Sequence, residues 1–179
     1  MQKLLKTYRL VLYITLIFLV VLIPLYPKFP LYGVSGTFVA IRAEDIFIAL
    51  AYLLWGGYLI LSGEIRTFYK STLNKAFLIF FFVGFVSLIS ANFLTQTVTL
   101  NLSVLHFLRR IEFMMLLPFA LNIIKTKKQF LTLILISAIV LFLVNIYALG
   151  QQYLHLPVVS TSNSEFSKGI ILYLTPDAR

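Results

Sequence analysis

"AFLIFFFVGFVSLISANFL", residues 76–94, holds no charged side chain from end to end. A helix needs about 20 apolar residues to cross the hydrocarbon core of a bilayer. A soluble domain instead spreads its apolar residues at strand or helix spacing around one core. Four more apolar blocks of similar length flank this one, at residues 8–25, 46–62, 104–124 and 130–150. The composition agrees. The chain is 60% hydrophobic and 12% charged, where a soluble domain carries about 25% charged residues. These blocks predict an all-α, polytopic transmembrane helical bundle of five spans, forming one domain over residues 1–179.

The net charge of +9 raises the question of nucleic acid. The charges, however, fall between the apolar blocks, where topology signals lie, and no nucleic-acid-binding motif is present. One set of connections carries Lys3, Lys6 and Arg9, then Arg66, Lys70 and Lys75, then Lys125, Lys127 and Lys128. The other set carries only Lys28 and Arg42, then Lys168 and Arg179. The positive-inside rule places the first set, and with it the N-terminus, in the cytoplasm. The first block comes after a basic start, as a secretory signal would. Its apolar part is too long, and it ends in Pro24, Tyr26 and Pro27 without a small-residue cleavage site. It reads as an uncleaved signal anchor. With no cysteine in the chain, disulfides, thiolate catalysis and cysteine-ligated metals are excluded.

This topology defines two outer segments. Residues 26–45 form an outer loop whose prolines and glycines forbid a continuous helix, with an extended piece at 37–41. Residues 151–179 begin a larger outer loop and close just after a fresh apolar patch at 169–174. A five-span chain with such an end reads as the N-terminal part of a longer protein.

Charge appears inside one block. "LHFLRRIEFMMLLPFAL", residues 105–121, sets Arg109, Arg110 and Glu112 among apolar residues. Intramembrane charge is expensive and marks function by default. On a helix His106, Arg109, Arg110 and Phe113 fall on one side, Glu112 lies three residues from Arg109, and Pro118 kinks the helix beyond them. Two roles are open. The arginines form an anion site, since guanidinium offers a planar fork of donors suited to phosphate. Or they are structural, snorkelling outward or pairing with Glu112. "IRAED", residues 41–45, is a second cluster at the outer mouth of the second span. Glu44 or Asp45 caps that helix, or Arg42 joins Arg109 and Arg110 around one anionic headgroup with the acids orienting it.

His106 and His155 are the two histidines; either has the titration range of a general base, although a lone loop histidine is more often inert. Asn101-Leu102-Ser103 fits a glycosylation acceptor pattern, a short match of low specificity. Trp55 and the tyrosines near span ends read as interfacial anchors. No phosphate-binding glycine loop, nucleophile elbow, zinc helix or pair of metal-chelating acids is present, so no catalytic residue is assigned from the sequence.

The outer loop "YPKFPLYGVSGTFVAIRAEDIFIAL", the "LRRIEFMMLLPFAL" span and the late "QQYLHLPVVSTSNSEFSKGIILYLTPDAR" together resemble the N-terminal part of O-antigen ligase family membrane proteins. This group contains lipopolysaccharide O-antigen ligases and Wzy-type polymerases. The resemblance covers essentially the whole chain and rests more on topology than on short motifs. It implies a bacterial inner-membrane glycosyltransferase of cell-envelope polysaccharide synthesis. Such an enzyme takes a glycan from undecaprenyl pyrophosphate at the periplasmic face and passes it to a lipid or glycan acceptor, without metal, nucleotide or other cofactor. It implies that periplasmic-side arginines hold the pyrophosphate, a role Arg109 and Arg110 suit, with Arg42 beside them and Glu112, Asp45 and Glu44 in support. In the family the residue thought to activate the acceptor is a histidine of a later loop, and His155 is not assigned to it. The alternatives are a transporter or flippase subunit and a membrane protein without chemistry.

Overall fold

The computed structural model describes residues 2–26, 30–33, 40–96 and 100–156. In chain order they form α1 (Gln2–Leu25), a hairpin of β1 (Pro30–Gly33) and β2 (Ala40–Arg42), α2 (Ala43–Ser62), α3 (Ile65–Lys70), α4 (Thr72–Ile89), α5 (Leu100–Met114), α6 (Leu116–Ile123) and α7 (Lys127–Tyr153). A π-helical turn, Ser90–Leu94, prolongs α4. The protein is therefore mostly helical. Among the described residues four helices are long and apolar enough to cross a membrane: α1, α2, α4 with its π turn, and α7.

The block at 104–124 takes a different form from the other four. It divides at Met115 into α5 and α6. Pro118 explains the division: its ring nitrogen carries no N–H for the carbonyl of Met114, four residues back. The ladder is carried on either side of the joint, with Met115 N–H donating to Ile111 and Phe119 N–H to Met115. The extended piece expected at 37–41 is present in its described part. β2 pairs antiparallel with β1, setting Tyr32 opposite Ile41. Residues 37–39, Lys28 and everything after 156, including the 169–174 patch, Lys168 and Arg179, lie outside the described residues.

The chain divides into two compact units, Met1–Leu16 with Ile48–Lys127, and Ile17–Phe47 with Lys128–Arg179. In the first, α2 is the hub. Against α1, the Tyr8 hydroxyl donates to the Leu54 carbonyl at 2.8 Å, and the Tyr8 and Tyr58 rings meet edge-on. Gly57 permits this approach: a Cβ there would stand 3.0 Å from the Tyr8 hydroxyl. Against α3 and α6, Trp55 packs on Phe68 and Phe119, and Tyr52 on Phe119. Phe119 and Pro118 are fully buried. Trp55 and Tyr58, expected at an interface, are buried instead, because the aromatic cluster and their polar partners, Asn122 and Glu64, enclose them. Gly63 closes α2 at φ +70°, a left-handed turn that glycine takes at no steric cost, and so sets Glu64 at the head of α3.

In the second unit, Phe18 of α1 and Phe47 at the start of α2 meet edge-on at 5.3 Å. α7 ends where Leu154 and Leu156 N–H both donate to the Gly150 carbonyl.

The apolar surfaces of α4 and α7 are turned outward; the α4 stretch has no buried residue in its apolar window. In water such area costs about 25 cal/mol per Å²; hydrocarbon removes that cost. Within the first unit, Phe119→Ala is expected to lower stability by about 3 kcal/mol by opening a cavity in the aromatic cluster. Leu117→Ala, at an exposed neighbour, is expected to change it by less than about 0.5 kcal/mol. Thermal unfolding in detergent, followed by circular dichroism, checks both.

Candidate functional site

Arg110 stands on the face of α5 that meets α4. Ser103, His106, Phe107 and Arg110 succeed one another at three- and four-residue spacing, so one helical stripe carries them all. They line a cleft of about 190 Å³ with Gly84, Ser87, Leu88 and Ala91 of α4 and its π turn. Gly84 makes the approach possible. A Cβ on it would lie 2.9 Å from the Phe107 ring, so any larger residue would force that ring to shift. Phe85 adds a second ring contact to Phe107 at 6.4 Å.

The π turn holds one end of this pair. Thr95 N–H donates five residues back to Ser90. At that widened turn, Asn92 Nδ2 donates both to the Leu88 carbonyl and to Ser103 Oγ, each at 2.8 Å. Asn92 thus ties α4 to α5 beside the cleft. Single π turns inside α-helices recur at functional sites. The cleft has one cationic fork, one imidazole and two hydroxyls over an apolar floor. Such a set has the chemistry to pair with an anion that carries an apolar chain.

Arg109, half-buried, lies about 100° around the helix from Arg110, so the two do not share the cleft equally. Tyr52 donates its hydroxyl to the Glu112 backbone carbonyl, anchoring this end of α5 to α2.

The second predicted cluster is drawn together as well. Asp45 Oδ2 accepts the Arg42 N–H at 2.9 Å. This is the backward half of a capping box at the start of α2. Glu44, fully buried, takes Arg42 Nη1 at 3.4 Å. Asp45 therefore serves the helix end and Glu44 holds the guanidinium. Arg42, Glu44 and Asp45 belong to the second unit, and Arg109, Arg110 and Glu112 to the first; each constellation stands by itself. His155 sits just beyond α7 with φ +53°.

A third constellation escaped the sequence reading. Trp55 Nε1 donates to Asn122 Oδ1 at 2.9 Å, and Asn122 Nδ2 donates to Glu64 Oε2 at 3.0 Å. Lys125 Nζ reaches the same oxygen at 3.4 Å, and the Tyr58 hydroxyl donates to Glu64 Oε1 at 3.2 Å. Arg9 also lies close to the Tyr58 hydroxyl. One signal pointed there: Glu64 is the single acid among connections otherwise filled with lysine and arginine. Among the described residues, no three His, Cys, Asp or Glu side chains come together as a metal ion requires.

Comparison with known protein families, with curated proteins and with solved structures yields no match.

Asn122→Leu removes the acceptor of the buried Trp55 indole. The expected loss is about 1–3 kcal/mol, the cost of an unsatisfied buried donor. Trp55→Phe in the same chain is expected to recover part of it. A double-mutant cycle in chemical denaturation measures the coupling; additive losses would show that the two side chains act independently.

Proposed function

We propose that this chain is an integral inner-membrane protein of the O-antigen ligase and polymerase type. It handles a glycan carried on undecaprenyl pyrophosphate, with Arg110 receiving the pyrophosphate. The observation that carries the reading is the placing of Arg110 with His106, Ser103 and Ser87 in one cleft floored by Gly84, Leu88 and Phe107. A polyprenyl pyrophosphate is itself an anion on a long apolar chain, and both halves of that chemistry are matched here.

The topology belongs to the same proposal. Five spans with a cytoplasmic N-terminus, α5 and α6 together making the fourth, put the α4–α5 cleft in the outer half of the membrane. The reaction would be inverting. An acceptor hydroxyl oxygen attacks the anomeric carbon, the bond from that carbon to the pyrophosphate oxygen breaks, and the hydroxyl proton passes to a base. The guanidinium stabilises the charge that gathers on the departing pyrophosphate. Arg109, held on the adjoining face, is a supporting element.

Two measurements test this. Arg110→Ala is expected to cut glycan transfer from undecaprenyl pyrophosphate, assayed in membranes of the expressing cell, by about 10²-fold. Arg109→Ala is expected to cost less. Normal transfer by the Arg110 variant, at normal membrane abundance, sinks the assignment and leaves a transporter subunit or a structural protein as the account. The absence of cysteine permits a clean topology assay. Single cysteines replacing Lys70 and Lys127 are expected to resist a membrane-impermeant maleimide added to intact spheroplasts, whereas one replacing Tyr32 is expected to react. The reverse pattern would overturn the orientation.

A further inference from the structure

The basic side of the chain carries a cleft of its own, built within the first unit and sharing no lining residue with the arginine cleft. It measures about 190 Å³, roughly six waters at ~30 Å³ each, enough for a phosphodiester. Lys125, Asn74, Asn122 and the hydroxyls of Thr67 and Ser71 supply its polar lining, and Phe68, Pro118 and Leu121 its apolar wall. The Ser71 hydroxyl makes no capping bond at the start of α4. Around it the connections at 64–75 and 125–127 hold Arg66, Lys70, Lys75, Lys125 and Lys127 against the single acid Glu64. Glu64 is engaged by Asn122, Tyr58 and Lys125. It fixes the lysine's position at the cleft, and the surrounding field stays positive.

We infer that this cleft binds the phosphate of an anionic phospholipid headgroup, with an acyl chain laid along the exposed Leu121. Basic pockets between helix ends recognise such headgroups. Leu121 is exposed and continues the apolar wall toward the span. A free phosphate would use the polar lining alone and leave that wall idle. The inference rests on the membrane character of the chain and is independent of the glycan reading.

The chain reports on this cleft by itself. Trp55 is its single tryptophan, and it touches two lining residues: it packs on the Phe68 ring and bonds to Asn122. The purified protein in detergent would be titrated with dihexanoyl-phosphatidylglycerol, dihexanoyl-phosphatidylcholine and inorganic phosphate while Trp55 emission is followed. Phosphatidylglycerol is expected to give a saturable change and phosphatidylcholine none. Lys125→Gln is expected to weaken the apparent affinity at least fivefold, and Lys125→Arg to keep it. Leu121→Phe narrows the cleft without touching Glu64 and is expected to weaken it as well, so the test stands even where Lys125→Gln fails to fold. Equal responses to the two lipids, or unchanged affinity in Leu121→Phe, overturn the inference. Saturation by inorganic phosphate at the same affinity overturns the lipid assignment.

Discussion

The hydrogen bond from Trp55 to Asn122 is the point on which the first unit turns. It joins α2 to the short α6, whose eight residues could not hold a helix in isolation. Buried polar groups are costly unless paired, and here each is passed to the next: indole to amide, amide to Glu64, Glu64 to Lys125 and Tyr58. The Glu64–Lys125 ion pair is partly exposed and worth about 0–1 kcal/mol alone. Its weight lies in completing the chain of bonds. The aromatic packing of Trp55, Tyr52, Phe68 and Phe119 forms around that chain, and Pro118 supplies the joint that lets α6 turn its Phe119 into it.

The arginine cleft depends on a different device, the absence of a side chain. Gly84 lets the Phe107 ring lie against α4, and the π turn lets Asn92 reach Ser103. Together they fix α5 about its axis, and the axis decides which arginine faces the cleft. Arg110 faces it and Arg109 lies about 100° away around the helix. A glycine and a widened turn thereby choose between two adjacent residues of identical chemistry.

Much of this was legible in the residues. The four long helices track the apolar blocks closely, because the requirement they meet is local: enough consecutive apolar residues to satisfy hydrocarbon, with every backbone bond made inside the segment. Pro118 announced the joint near Met115 for an equally local reason. The pairing of Arg42 with Glu44 and Asp45 could be expected from neighbours in sequence. Trp55 was legible as an amphipathic ring but not as a buried one, since its partners Phe68, Phe119 and Asn122 come from distant positions. Glu64 went unread because a lone acid in a basic connection carries no periodic signal.

By itself, then, the sequence determined the class of the protein, the places of its apolar helices, the break in the fourth block and the residues rich enough in charge to carry a site. The tertiary structure alone decided that Arg110 lines the cleft with His106 and Ser103, that Glu64 gathers a lysine, an asparagine and a tyrosine, and that Trp55 lies at the centre of its unit. The physical reason is range. Hydrophobic length and the missing proline N–H act within a few residues along the chain, whereas a cleft or a hydrogen-bond relay needs side chains 67 positions apart, such as Trp55 and Asn122, to arrive at one point.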